Sequence, residues 1–165
     1  MGRGKVLVGL GVAFLGVSGA TCWPAAQHLE IIVDNQDAGF AIVNGTWGTA
    51  DTTDGNGCYG PDFRYHLAER SPVAAASFTA VVTQGGSYSV YIYWSADPNR
   101  TTSQPVTVFH SGGSTNYTVN LQQNGNQWYL LGSHTFDAGP AVIVFTTDTD
   151  AGYCNADAVR LVSNF

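Results

Sequence analysis

The stretch Gly86-Ser87-Tyr88-Ser89-Val90-Tyr91-Ile92-Tyr93-Trp94 decides the fold. Tyr88, Val90, Ile92 and Trp94 fall on one parity, while Ser89, Tyr91 and Tyr93 fall on the other. A period of two is the signature of a β-strand with one face on a core and the other toward water. A helix of the same length would repeat its apolar positions at three- and four-residue spacing instead. Thr115–Leu121 has the same alternation: Tyr117, Val119 and Leu121 share the apolar side, and Asn116, Thr118 and Asn120 share the polar side.

Outward from these two segments, short runs rich in β-branched and aromatic residues recur between clusters of Gly, Asn, Asp, Ser and Pro. Strands are expected at Leu29–Asp34, Phe40–Thr46, Phe63–His66, Ser77–Val82, Ser87–Ser95, Val106–His110, Thr115–Leu121, Gln127–Phe136, Ala141–Thr147 and Asp157–Val162. Gly85-Gly86, Gly112-Gly113 and Asn124-Gly125 supply turns between neighbouring runs. Leu67–Ala76 is the one stretch with helical character, shortened by Pro72. Short strands at this spacing predict an all-β antiparallel sandwich.

The chain opens with Arg3 and Lys5, an apolar run over Val6–Val17, and Ser18-Gly19-Ala20. This is the layout of a secretory signal peptide over residues 1–20, cleaved after Ala20. The run is too short to span a bilayer comfortably, so no membrane association beyond the leader is expected. The expected location is therefore secreted, extracellular or cell-surface. Residues 21–28 then form a linker or arm, and one domain covers 29–165. With Arg3 and Lys5 removed, four arginines stand against twelve acids, a formal charge of −8 with no lysine. Phosphate recognition needs a basic face, so nucleic acid is excluded as a partner. Asn44, Asn99 and Asn116 begin Asn-x-Ser/Thr acceptor sites for glycosylation.

The three cysteines are Cys22, Cys58 and Cys154. Export permits a disulfide, and Cys58–Cys154 is the expected pair. Cys22 is then odd. With Trp23 it lies in the arm, where a second copy of the chain is one partner able to bury Trp23; these two residues are the expected assembly contacts. Tyr91 and Tyr93, with Asn116 and Asn120, are the expected ligand-binding residues if both strands share a sheet. Rings cover the apolar faces of sugars and amides satisfy their hydroxyls, although Tyr91 and Tyr93 equally suit ordinary cross-strand pairs. The loops at Asp34–Gly39, Asp51–Gly55 and Asp148–Asp150 are oxygen-rich, which suits either plain turns or a hard cation. Trp47, Trp94 and Trp128 are expected in the core. Arg160 is expected to pair with Asp62 or Asp157. His28, His66, His110 and His134 belong to no nucleophile motif, and no catalytic residue is expected.

Several motifs occur in order: Ile31-Ile32-Val33-Asp34-Asn35-Gln36-Asp37-Ala38-Gly39-Phe40; Gly45-Thr46-Trp47; Tyr59-Gly60-Pro61-Asp62-Phe63-Arg64-Tyr65; the Gly86–Trp94 strand; Val119–Gly132 around Asn124-Gly125-Asn126-Gln127-Trp128; and Ala156-Asp157-Ala158-Val159-Arg160-Leu161-Val162. Over residues 29–163 the chain resembles the golvesin C-terminal, xanthan-lyase-like domain. The resemblance implies a jelly-roll sandwich similar to small carbohydrate-binding modules, which are usually appended to secreted hydrolases. Such modules often carry a structural ion between their first and last strands, which here implies a structural calcium, not required as a cofactor, at Glu30 or Asp34 with Asp157. Cys58 and Cys154 depart from the pattern, where tyrosine and valine-like residues are ordinary. The second departure is that no catalytic neighbour is expected on this chain. The expectation is a non-catalytic module for extracellular polysaccharide or cell-wall glycan. The alternative is a self-assembling subunit of a filament or envelope layer, bound to copies of itself.

Overall fold

The structure, a computed structural model, describes residues 28–51 and 57–165. Two sheets make a sandwich. One has the order β1-β12-β6-β9, built from β1 (Glu30–Asp34), β12 (Ala158–Ser163), β6 (Gly86–Tyr93) and β9 (Tyr129–Phe136). The other has the order β2-β5-β10-β7-β8, built from β2 (Phe40–Asn44), β5 (Ala75–Val82), β10 (Gly139–Thr146), β7 (Gln104–His110) and β8 (Gly113–Val119). A small third sheet, β11-β4-β3, combines β11 (Tyr153–Ala156), β4 (Asp62–Leu67) and β3 (Gly48–Asp51). Among the described residues every pair of named strands is antiparallel, and the architecture is the expected all-β jelly roll.

The core follows from the alternation. Tyr88, Val90, Ile92 and Trp94 of the first sheet are buried, and so are Phe78, Val108, Ile143 and Phe145 of the second. Full burial of each large side chain contributes about 1.5–3 kcal/mol of transfer free energy. Phe78 meets Phe40 at 4.9 Å and Phe145 at 5.2 Å between ring centroids. Tyr88 keeps its hydroxyl satisfied by donating to the Gln84 carbonyl at 2.6 Å.

Gln104 ties the small sheet to the sandwich. It is wholly buried, its Nε2 donates to the Asn155 carbonyl, and its Oε1 accepts from the Asn155 amide, both at 2.8 Å. The side chain thus imitates a strand neighbour and satisfies two buried backbone groups.

Three expectations are corrected. Leu67–Ala76 is not helical: β4 runs to Leu67, a short irregular connection follows, and β5 begins at Ala75. The Thr147 hydroxyl holds that connection by accepting from the Ala74 amide and donating to the Glu69 carbonyl. The Phe40–Thr46 run ends at Asn44, and a separate strand, β3, follows. The last strand is preceded by another, β11, and Asp157 separates the two. Residues 1–27, which hold the leader and all of the arm except His28, Cys22 and Trp23 included, lie outside the described residues, as do residues 52–56. No helix among the described residues is long and apolar enough to cross a membrane.

Candidate functional site

Directly opposed residues of an antiparallel pair point to the same face. In the first sheet Ile32 opposes Arg160, Arg160 opposes Tyr91, and Tyr91 opposes Leu130; one row over, Ala158 opposes Tyr93. Val33, Val90, Ile92 and Leu161 are buried on the other parity, so this row is the outer face. Trp128 precedes β9 and reaches over the same face. The Arg160 guanidinium lies 5.3 Å from the Tyr91 ring centroid and 5.7 Å from that of Trp128. Trp128 meets Tyr93 at 5.5 Å and Tyr59 at 5.0 Å, and Tyr59 meets Tyr93 at 5.9 Å. The inclinations of 53° to 78° make an angled, half-exposed platform rather than a closed stack.

The sequence leaves Trp128 misplaced because β9 carries a bulge. Val90 pairs with Gly132 and the next residue, Tyr91, pairs with Leu130, so Leu131 is the extra residue. One inserted residue reverses the parity of everything before it. Tyr129 therefore turns toward Trp94, 5.3 Å away, and Trp128 turns outward instead of into the core. Trp47 and Trp94 are buried as expected. Arg160 pairs with Glu30 rather than with Asp62 or Asp157: its Nε lies 2.5 Å from Glu30 Oε1, though without hydrogen-bond alignment. Its outward parity was readable from Val159 and Leu161 on either side.

Beside the rings lies a knot of carboxylates. Asp157 is wholly buried, and the Tyr59 amide donates to both its oxygens at 3.2 Å. Burial above all, with Asp34 and Asp62 adding repulsion, pushes the Asp157 carboxyl up to about 8. Burial also raises Asp34, with Asp37 and Asp62 adding to it. Asp62 accepts from Asn35 Nδ2 at 2.5 Å and from Gln36 Nε2 at 2.6 Å. Asp34 Oδ1 and Asn35 Oδ1 are buried without a partner. Gly60, at φ +72°, turns the chain so tightly that a Cβ there would sit 3.1 Å from Asp34 Oδ2; this turn places Tyr59 over Asp157.

The structure brings Asp34 and Asp157 together, but Glu30 lies at the far end of β1 in its pair with Arg160. Glu30 is therefore not part of this knot. Among the described residues no three His, Cys, Asp or Glu side chains are grouped to hold a metal ion.

Tyr91 and Tyr93 do not share a surface with Asn116 and Asn120. β6 belongs to the four-stranded sheet and β8 to the five-stranded sheet, so their outward faces are on opposite sides of the sandwich. Asn116 Oδ1 accepts from Thr107, and Asn120 Oδ1 accepts from the Gln122 amide, which are local structural bonds. The expected Cys58–Cys154 bridge is also absent, and both are free thiols. Cys154 is buried in the core, whereas the Cys58 S–H donates to the Gly60 carbonyl at 3.4 Å. Burial pushes Cys58 up to about 11, with Asp157, Asp62 and Asp34 adding to it, and pushes Cys154 up to about 12. Thiols so raised supply no thiolate for nucleophilic chemistry near neutral pH.

Comparison with known proteins agrees with this architecture. The Golvesin C-terminal domain family matches residues 31–163. "Xanthan lyase" from Bacillus sp. (strain GL1) is 34% identical over 139 residues, which cover 81% of this chain and 15% of that protein. The solved Paenibacillus xanthan lyase superposes with a TM-score of 0.73 at 43% identity, over 81% of this chain and 13% of that one. The chain thus spans only a small part of these relatives. A family 35 carbohydrate-binding module from Cellvibrio japonicus Abf62 superposes with a TM-score of 0.57 at 18% identity, over 84% of this chain and 95% of the module, which is a likeness of fold. From its matched motifs and its sandwich, this chain belongs to the Golvesin C-terminal domain family.

Proposed function

We propose that this chain is a non-catalytic, secreted module that binds an extracellular polysaccharide on the outer face of its four-stranded sheet. The observation that carries the reading is the half-exposed group of Tyr59, Tyr91, Tyr93 and Trp128 with Arg160 among them. Sugar rings lay their C–H faces on aromatic rings, and the guanidinium and phenol groups meet the hydroxyls. Arg160 is partly balanced by Glu30, so the face serves neutral and acidic glycans alike. The named activity of the xanthan lyases makes xanthan a first polymer to try. The leader pattern supports secretion. Replacing Trp128 and Tyr93 by alanine tests the reading: retention on the polymer that retards the intact protein must be lost.

The proposal includes a calcium ion at the carboxylate knot. Its support is the two orphaned oxygens, Asp34 Oδ1 and Asn35 Oδ1, beside the buried Asp157. Hard oxygens of this kind suit calcium, which would offset the charge of Asp157 when bound. The remaining ligands would come from backbone or water.

Self-assembly is a second reading, favoured by one observation. β2 is an edge strand of the five-stranded sheet, and Ile42 and Val43 are exposed there. An exposed apolar edge accepts an added strand from another chain. Light scattering on the intact protein and on a chain lacking residues 21–28 tests it. Higher-order particles only with the arm present support assembly; a monomer at high concentration refutes it.

A further inference from the structure

We infer a second carbohydrate site, separate from the ring-bearing outer face, in the groove between the small β3-β4-β11 sheet and the segment around Asn99 and Arg100. The groove encloses about 470 Å³ and is lined by Thr49, Asp51, Tyr65, Asn99, Arg100 and Tyr153 among others. This inference goes beyond the first site and does not depend on it.

Three features make the groove a built site. The Tyr65 and Tyr153 rings meet edge-to-face at 5.7 Å and 82°, so a sugar stacked on one ring meets the edge of the other. Tyr65 gains its place because Gly48 lies opposite it, where a Cβ would sit 2.5 Å from the ring. Arg100 is only 8% exposed and is held on three sides. Its Nε donates to the Ser95 carbonyl at 3.3 Å, its Nη1 donates to Asn99 Oδ1 at 2.7 Å, and its guanidinium lies 5.2 Å from the Phe63 ring centroid. A guanidinium has five N–H groups, and these two acceptors take two of them. The floor is rigid as well: Asn155 is fixed by Gln104 and donates its Nδ2 to Ser95, while Arg100 and Tyr153 bridge through their backbones.

Planar polar groups beside aromatic rings fit the vicinal hydroxyls of a pyranose. The charge balance selects among sugars. Asp97 lies close to Arg100 and offsets its charge. The offset guanidinium then exerts little pull on an anionic sugar. The ligand class is therefore a neutral hexose or pentose unit of an oligosaccharide. A chain carrying both sites would grip one polymer at two points and gain avidity when the spacing matches.

The test is amide chemical-shift mapping on the intact domain, titrated separately with cellohexaose, mannohexaose, xylohexaose and tetragalacturonate at millimolar concentration. At least one neutral oligosaccharide should shift the amides of Thr49, Asn99, Arg100 and Tyr153, and should still do so in Trp128→Ala. Tyr65→Ala should weaken that response about tenfold or more, and tetragalacturonate should bind the groove at least about tenfold more weakly. If no neutral oligosaccharide moves the groove amides of the wild type, the site does not exist. Equal or stronger response to tetragalacturonate overturns the assigned ligand class. Because the two sites report through different amides, failure here is distinguishable from failure of the outer face.

Discussion

Asp157 should make this protein lose stability as pH rises. Its folded carboxyl, held up to about 8, keeps a proton that the unfolded chain releases near 3.8. The stabilisation is fully present below the unfolded value and is lost as pH climbs through the folded one. At about 1.4 kcal/mol per pH unit, the interval sets a ceiling of about 6 kcal/mol, which relaxation and water entry reduce to several. Asp34, also raised by burial, acts in the same direction. His134, lowered by burial and by the stacked His110, acts oppositely: its contribution is present above about 6.5 and is lost as pH falls below that value. In chelator, Tm near pH 8.5 should fall on the order of 10 °C below that near pH 5. Asp157→Asn keeps an acceptor for the Tyr59 amide and should flatten most of that slope. Calcium should restore the wild-type Tm at alkaline pH but not that of the variant. Parallel Tm curves for wild type and Asp157→Asn in chelator would refute the reasoning, and no rise with calcium would refute the ion.

Further outcomes follow from single contacts. Gln104→Leu should cost about 2–3 kcal/mol in urea unfolding, because it strands the buried amide and carbonyl of Asn155. Gly60→Ala should cost about 1–2 kcal/mol from its positive φ alone and should move Tyr59, read as a changed Trp128 fluorescence spectrum. Thiol titration of the native domain should find Cys58 slow and Cys154 unreactive until unfolding, with Tm unchanged by reductant; a linked Cys58–Cys154 peptide would contradict the structure.

The parity of Ser87–Tyr93 is local information, so the buried set and the outward turn of Tyr91 and Tyr93 were legible. Strand pairing is not local: equal alternation in β6 and β8 says nothing about which sheet each joins, and Asn116 and Asn120 were misassigned for that reason. Trp128 is misplaced because the extra residue, Leu131, reverses the parity, and the one local mark of that bulge is the adjoining Gly132 inside the strand. The small sheet was only partly visible, since β3 and β11 have four residues each and alternate too briefly to register. Tyr59 reaches the site from a loop, where periodicity has no meaning. The cysteines looked like a pair because both lie beside loops, but burial sends one thiol into the core and the other toward a carbonyl beside the carboxylates.

The most direct test is affinity electrophoresis through gels containing single polysaccharides, comparing wild type with Trp128→Ala/Tyr93→Ala and Asn116→Ala/Asn120→Ala. A polymer should retard the wild type and the asparagine variant equally, and the aromatic variant, still folded by circular dichroism, should lose about tenfold or more in affinity. Full retention of affinity by the folded aromatic variant, or no retardation of the wild type by any polymer, would contradict binding at the outer face.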